Sequence, residues 1–198
     1  MTASGREDEL YEALGESQRL GFLGARAIPE VVEHARMYVR ALDGVVGTVA
    51  DIGTGGGVPG LVIAHDRPDL RVLLIDRRQK RTDFLERVCR RYGWLASVEV
   101  VCADVTELAE AAAGRESDQA EQQAEQHAVD AVVARGFGPP PLTLTSGASL
   151  VRPGGLIVIS EPPDGNRWAP ELLHDVGVRR IPLLHPADRI VTFTRTAP

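Results

Sequence analysis

Cysteine is scarce: this chain of 198 residues holds two, Cys89 and Cys102. Their spacing is not that of a metal site, and two thiols make no disulfide framework. A reducing, cytoplasmic setting is the expectation. Long apolar runs are also missing. None reaches the roughly 18 to 20 residues of a membrane span, so no membrane segment is expected. The opening stretch MTASGREDELYEALGE is polar and acidic, unlike a secretory signal. Internal repeats are absent. So are a Ser/His/Asp set and any cluster with metal-ligand spacing, and no metal is expected. Net positive charge is lacking too: the chain carries −6, which argues against a nucleic-acid partner at first sight.

That acidity is local. Residues 104–130 hold eight acids against one base. The rest of the chain is therefore close to neutral, and residues 76–93 hold seven bases against three acids. A neutral body with one basic segment can meet phosphate. The same segment also suits a solvated helix face.

Glycine, by contrast, is concentrated. VADIGTGGGVPGLVIA (49–64) sets five glycines between Asp51 and Gly60. Glycine loses the most backbone freedom on folding, so such a cluster marks a close approach. Around it the pattern alternates. Segments 7–14 and 29–42 read as helices, the second with an apolar stripe of Val31, Val32, Ala35, Tyr38, Val39 and Leu42. TVADI, RVLLID, SVEVVCAD, DAVVAR and GLIVIS read as buried strands between helical segments. VRRIPLL and RIVTFTRT read as a closing antiparallel pair. The fold class expected is α/β, a doubly wound and mostly parallel sheet. Residues 1–43 form a helical cap and 44–198 the main domain. The stretch 109–128, rich in Ala, Glu and Gln, reads as a polar solvated insertion.

A strand, a glycine turn and a helix make a ligand cradle at the carboxyl end of a sheet. Gly55-x-Gly57-x-x-Gly60 matches a dinucleotide fingerprint, which alone is weak. Three acids at successive strand ends point instead to S-adenosylmethionine. Asp51 faces an ammonium group where it would repel a pyrophosphate. Asp76 suits ribose hydroxyls and fits either cofactor. Asp104 reaches an adenine amino edge. Any one of them is equally at home as a helix cap.

Four stretches, DIGTGGGVPGLVIA, LLIDRRQKRTDFL, DAVVAR and LVRPGG, resemble the RsmG/GidB family of class I methyltransferases. The resemblance spans about residues 44–160. It implies a seven-stranded sheet, S-adenosylmethionine as methyl donor, and N7 of a guanine in 16S ribosomal RNA as acceptor. It implies a cofactor site of Asp51, Gly53, Thr54, Gly55, Gly57, Asp76, Arg77, Asp104 and Val105, with Arg135 in the active site holding guanine O6 or a phosphate. Ribosomal RNA or the small subunit is the expected partner, steered by Arg77, Arg78, Lys80 and Arg81. The chain departs from the family around the acceptor. GFGPPP follows the fourth strand, SEPPD follows the fifth where the family often has lysine, and His34 stands without its usual neighbours. These departures keep two alternatives open: a small-molecule methyltransferase, or a non-catalytic cofactor- or RNA-binding homologue. A nicotinamide dehydrogenase is disfavoured by Asp51 and Asp104.

Overall fold

The computed structural model describes residues 3–113, 128–162, 167–182 and 189–197. The polar stretch at 114–127 and the last two residues of SEPPD, Pro163 and Asp164, lie outside them. In chain order the elements are α1 (Ala3–Arg19), α2 (Ile28–Ala41), β1 (Thr48–Ile52), α3 (Gly60–Asp66), β2 (Arg71–Asp76) and α4 (Gln79–Arg91). A 3-10 turn (Trp94–Ala96) leads to β3 (Val98–Cys102), α5 (Val105–Ala113) and β4 (Val129–Ala134). Then follow α6 (Pro140–Leu150), β5 (Val151–Ser160), α7 (Pro170–Val176), β6 (Val178–Ile181) and β7 (Ile190–Arg195).

The seven strands lie in the order β3-β2-β1-β4-β5-β7-β6. The first five are parallel, and β7 runs antiparallel to both β5 and β6. The connection from β3 returns the chain to β4 on the other side of β1. This reversal opens a crevice at the carboxyl ends of β1 and β4, where ligands of such sheets bind.

Side chains alternate between two cores. Val49, Val72, Leu74, Ala131, Val133 and Val158 face one layer, which contains Leu10, Leu14, Val32, Tyr38, Leu61 and Phe84 from α1 to α4. Ala50, Ile52, Ile75, Val132, Ala134 and Ile159 face the other, which contains Val105, Leu144 and Trp168. Residues from α1 and α2 thus share one core with the sheet. Arg36 of α2 strengthens that union, donating to Glu7 of α1 (2.9 Å) and Asp66 of α3 (3.0 Å).

Differences from the sequence reading have local causes. Helix α1 runs on to Arg19 because Ser17, fully buried, donates to the Gly56 carbonyl (2.9 Å). Helix α6 starts within the proline run, since proline is tolerated in a first helical turn. Its buried face (Thr143, Leu144, Ser146, Gly147, Ala148) holds a single large apolar residue, Leu144, too few to reveal a helix by period. Helix α5 extends to Ala113 and buries Ala109. The first residues assigned to the polar insertion are therefore helical, with Ala109 buried and Glu110 and Ala111 exposed, and the boundary moves beyond Ala113. Strand β5 begins at Val151 instead of Gly155, with an irregular register opposite Val129–Ala131. None of the helices among the described residues is long and apolar enough to cross a membrane.

Candidate active site

Strand β1 brings Asp51 to the carboxyl edge on the face covered by α3. The residue is 1% exposed. Its Oδ2 accepts from Thr54 Oγ1 (2.7 Å) and from the Gly60 amide (2.8 Å). Its Oδ1 is buried with no hydrogen-bond partner. Burial pushes the carboxyl up to about 6, against the opposing pull of the Thr54 and Gly60 hydrogen bonds and the Arg135 charge. A buried carboxylate oxygen without a donor is costly, and a cationic group is the natural complement.

The glycines divide between two jobs. Gly60 lets α3 close on the sheet: a Cβ there would strike Leu74 and come within 2.7 Å of Asp51 Oδ2. Gly57, with φ +94°, leaves room for Leu61 and Leu85, and its amide is spent on the Thr54 carbonyl (2.9 Å). These two serve the packing of the protein on itself. Gly55, with φ +58°, faces open space, its nearest neighbour being Arg81 Nη1 at 3.6 Å. Gly53 has the ring of Phe137 above it, 2.7 Å from where a Cβ would stand. Of the four, Gly55 alone faces open space, while Gly53 is covered by Phe137. Thr54 is buried and, besides Asp51, its amide donates to the Ile75 carbonyl (2.9 Å).

Asp76 closes β2 as expected. Its Oδ1 accepts from the Arg78 amide (2.9 Å), and its Oδ2 from the Gly55 amide (3.0 Å) and Arg81 Nη1 (3.2 Å). Arg81 is therefore folded back onto Asp76, whereas Arg77, Arg78 and Lys80 are exposed. A carboxylate has about four lone-pair sites, so ribose hydroxyls at Asp76 must share with Arg81 or displace it. Replacing Asp76 with alanine strands two amides and one guanidinium. Donor affinity should fall by roughly 10- to 100-fold, the equivalent of about 1.5–3 kcal/mol for a charged hydrogen-bonding group. Calorimetry on the two proteins checks this, and unchanged affinity would remove Asp76 from the site.

Asp104 lies at the entry to α5 and takes the cap role. Its Oδ1 accepts from the Thr106 hydroxyl (2.7 Å) and amide (2.9 Å), which with Arg77 hold the carboxyl below its ordinary value. Arg77 Nη1 stands 3.5 Å from Oδ2. Val105 is buried in the second core.

Arg135 follows β4, beside the end of β1, since Ile52 pairs with Ala134. It is half-buried, and its Nη1 is enclosed with no hydrogen-bond partner. Burial lowers its pKa, opposed by the nearby Tyr38 and Asp51. Tyr38 of α2, fully buried, donates to the Ala134 carbonyl (3.1 Å) and so ties the helical layer to the residue before Arg135. The site therefore contains an acid and a base, each with a bare buried atom, at the ends of two adjacent strands.

Arg135 also lines a cleft of about 900 Å³ between α2 and the chain segments that follow β4 and β5. Its walls include Arg26, His34, Met37, Phe137, Ser160 and Glu161. Sequence reasoning took Tyr38 as a stripe residue and GFGPPP and SEPPD only as departures. Ser17 carried no signal at all, because nothing local shows that a serine near a helix end will meet a loop 39 positions away.

The family model for rRNA small subunit methyltransferase G, GidB, matches residues 14–161. The chain belongs to the GidB family. A ribosomal RNA small subunit methyltransferase G from Salinispora tropica is 35% identical over 99 residues, covering 48% of this chain and 41% of that protein. The matched stretches span 34% to 54% of the first three curated relatives' own lengths. Among solved structures, an O-methyltransferase family protein from Burkholderia thailandensis superposes with a TM-score of 0.58 at 16% identity, covering 85% of this chain and 56% of that one. Coclaurine N-methyltransferase bound to N-methylheliamine and SAH gives 0.56 at 17% identity, covering 81% and 52%. At these identities the likeness is one of fold. The GidB chain has the seven-stranded, mostly parallel α/β sheet of class I methyltransferases.

Proposed function

We propose that this GidB protein is an S-adenosylmethionine-dependent methyltransferase that methylates N7 of a guanine in the RNA of the small ribosomal subunit. The observation that carries the reading is the bare Oδ1 of Asp51 beside a glycine turn that is open at Gly55, with Arg135 on the neighbouring strand end. The Oδ1 of Asp51 fits an amino-acid ammonium. Asp76 fits the ribose hydroxyls. Arg77, the Asp104 carboxylate and the Val105 amide fit the adenine side, and Gly53, Thr54, Gly55 and Gly57 shape the turn between them. When bound, the donor supplies a methyl group on a sulfonium leaving group.

Guanine N7 has a free lone pair, so no residue of the chain has to remove a proton from it. The protein's task is to exclude water, align the base and hold it, which in favourable cases is worth roughly 7–11 kcal/mol. Arg135 performs the holding, with its guanidinium on O6 beside N7. Exposed Arg77, Arg78 and Lys80 steer the RNA phosphates. Changing these three to glutamine should weaken RNA binding and flatten its salt dependence by roughly 0.7–0.9 in slope for each phosphate no longer neutralised. Filter binding over a salt series measures this, and an unchanged slope would take them out of the RNA path.

The decisive experiment is transfer of labelled methyl groups to small subunits from a strain lacking this protein, followed by nucleoside analysis. Label in 7-methylguanosine is the expected result. Label in another nucleoside, or transfer to a small acceptor that RNA does not inhibit, would replace this reading with another.

A further inference from the structure

Strand β5 ends at Ser160, the neighbour of β4's end through the Ala134–Ile159 pairing. The next residue, Glu161, lines the same cleft as Arg135 and Phe137. Its side chain is 10% exposed. Oε2 accepts a short hydrogen bond from the indole Nε1 of Trp168. Trp168 is itself fixed, buried edge-to-face on Phe193 with ring centroids 5.0 Å apart. Oε1 has no hydrogen-bond partner and almost no contact with solvent. Arg167 Nε forms an ion pair with it at 3.3 Å, while Arg167 Nη2 donates to the Ser160 carbonyl (2.7 Å). A rigid support thus holds a carboxylate with one oxygen that is ion-paired but accepts no hydrogen bond, in the cleft where the acceptor base would enter.

An acid here is unsuited to a phosphate, which it would repel. The cleft wall as a whole mixes Glu30, Glu33 and Glu161 with Arg26, Arg135, Arg167 and Arg189, so it is the Glu161 carboxylate itself that disfavours a phosphate at this position. It suits N–H donors on a neutral group. Guanine's Watson–Crick edge offers two neighbouring donors, N1–H and the exocyclic N2–H, which can converge on the one carboxylate oxygen, Oε1, that accepts no hydrogen bond. Adenine turns an unprotonated N1 to the same place and would be disfavoured. The N7/O6 edge of the same base remains free for the methyl donor and Arg135.

We propose that Glu161 is the residue that selects guanine, accepting its N1–H and N2–H while the half-buried ring of Phe137 lies against the plane of the base. This deepens the guanine-N7 reading and rests on it. A site built to pair a buried polar atom rejects ligands that leave it unpaired, so selectivity is the sensitive readout.

Calorimetric titration of the full chain with GMP, IMP and AMP tests the proposal. IMP lacks only the exocyclic amino group. Wild type should bind GMP about tenfold or more tightly than IMP, and AMP weakest of the three. Glu161→Gln should bring GMP and IMP to within about twofold of each other. Trp168→Phe, which keeps the carboxylate and removes only its support, should weaken GMP yet leave GMP preferred over IMP; it also serves if Glu161→Gln fails to fold. Equal binding of GMP and IMP by wild type, no GMP binding at millimolar concentration, or a preference that survives Glu161→Gln would overturn the assignment. Labelling of small subunits separates the two readings. Methyl transfer with no GMP preference sinks the Glu161 role alone, and GMP preference with no methyl transfer sinks the proposed reaction alone.

Discussion

Arg135→Ala should lower methyl-transfer turnover by about 10²–10³-fold, the range seen when one preorganised donor is removed from a reaction centre, and should not lower the melting temperature. The two halves of this expectation share one cause. Arg135 is a half-buried cation with an enclosed Nη1 and no hydrogen-bond partner. Burial disfavours its charge, as the downward direction of its pKa records. Such a group is a net cost in the free protein, offset only in part by the nearby Tyr38 and Asp51, the usual trade between stability and function. Removing it relieves that cost while stripping the acceptor of its anchor. The salt dependence of RNA binding should stay as in wild type, because Arg135 acts after docking. Single-turnover transfer to small subunits and a thermal melt make the test. Full turnover would exclude Arg135 from catalysis, and a large drop in melting temperature would mark it as structural.

Asp51→Asn is the second. At neutral pH donor affinity should fall by roughly 10- to 100-fold, since a charge-assisted bond to the ammonium is removed. The fold should survive, because the asparagine carbonyl can still accept from Thr54 and Gly60. The pH dependence follows from the raised carboxyl. It titrates near 3.8 when unperturbed and is pushed up to about 6 in the folded protein. The folded state therefore binds this proton more tightly than the unfolded chain. Asp51's contribution to stability becomes less favourable as pH rises from about 4 through about 6, and is least favourable at neutrality. The asparagine variant lacks this penalty and should melt no lower than wild type at pH 7. Donor binding runs the opposite way, because it needs the ionised form. Wild-type affinity should weaken below about pH 6, approaching tenfold per unit, while the variant should be weak and flat. Calorimetry between pH 5 and 8 tells them apart, and a pH-independent wild type would place the ammonium elsewhere.

The parallel strands were legible because their β-branched runs are buried on both faces and need no partner to be seen. The glycine turn and the acids at the ends of β1 and β2 were legible because adjacency in sequence is adjacency in space there: Asp51, Gly53 and Gly55 lie within five residues. Helix α4 was legible from its inner face of Phe84, Leu85, Val88 and Cys89, all buried. Helix α6 was hidden, because Leu144 is the one large apolar residue on its inward face and its start is a proline run.

The site's second half was hidden for a different reason. Arg81 read as a surface cation because its neighbours are basic, yet the turn of α4 returns it to Asp76, five residues back, at 3.2 Å. Tyr38 reaches Ala134 across 96 positions of sequence, and Arg189's carbonyl receives the amide of Glu161. Local pattern decided the sheet, the cradle and the family, since each follows from short-range spacing of residue types. Tertiary structure alone decided which glycines face open space and which face the protein, which arginines are spoken for, and that Arg135, Phe137 and Glu161 share one cleft. Those outcomes depend on the order of strands in space, which brings together chain ends that the sequence keeps far apart.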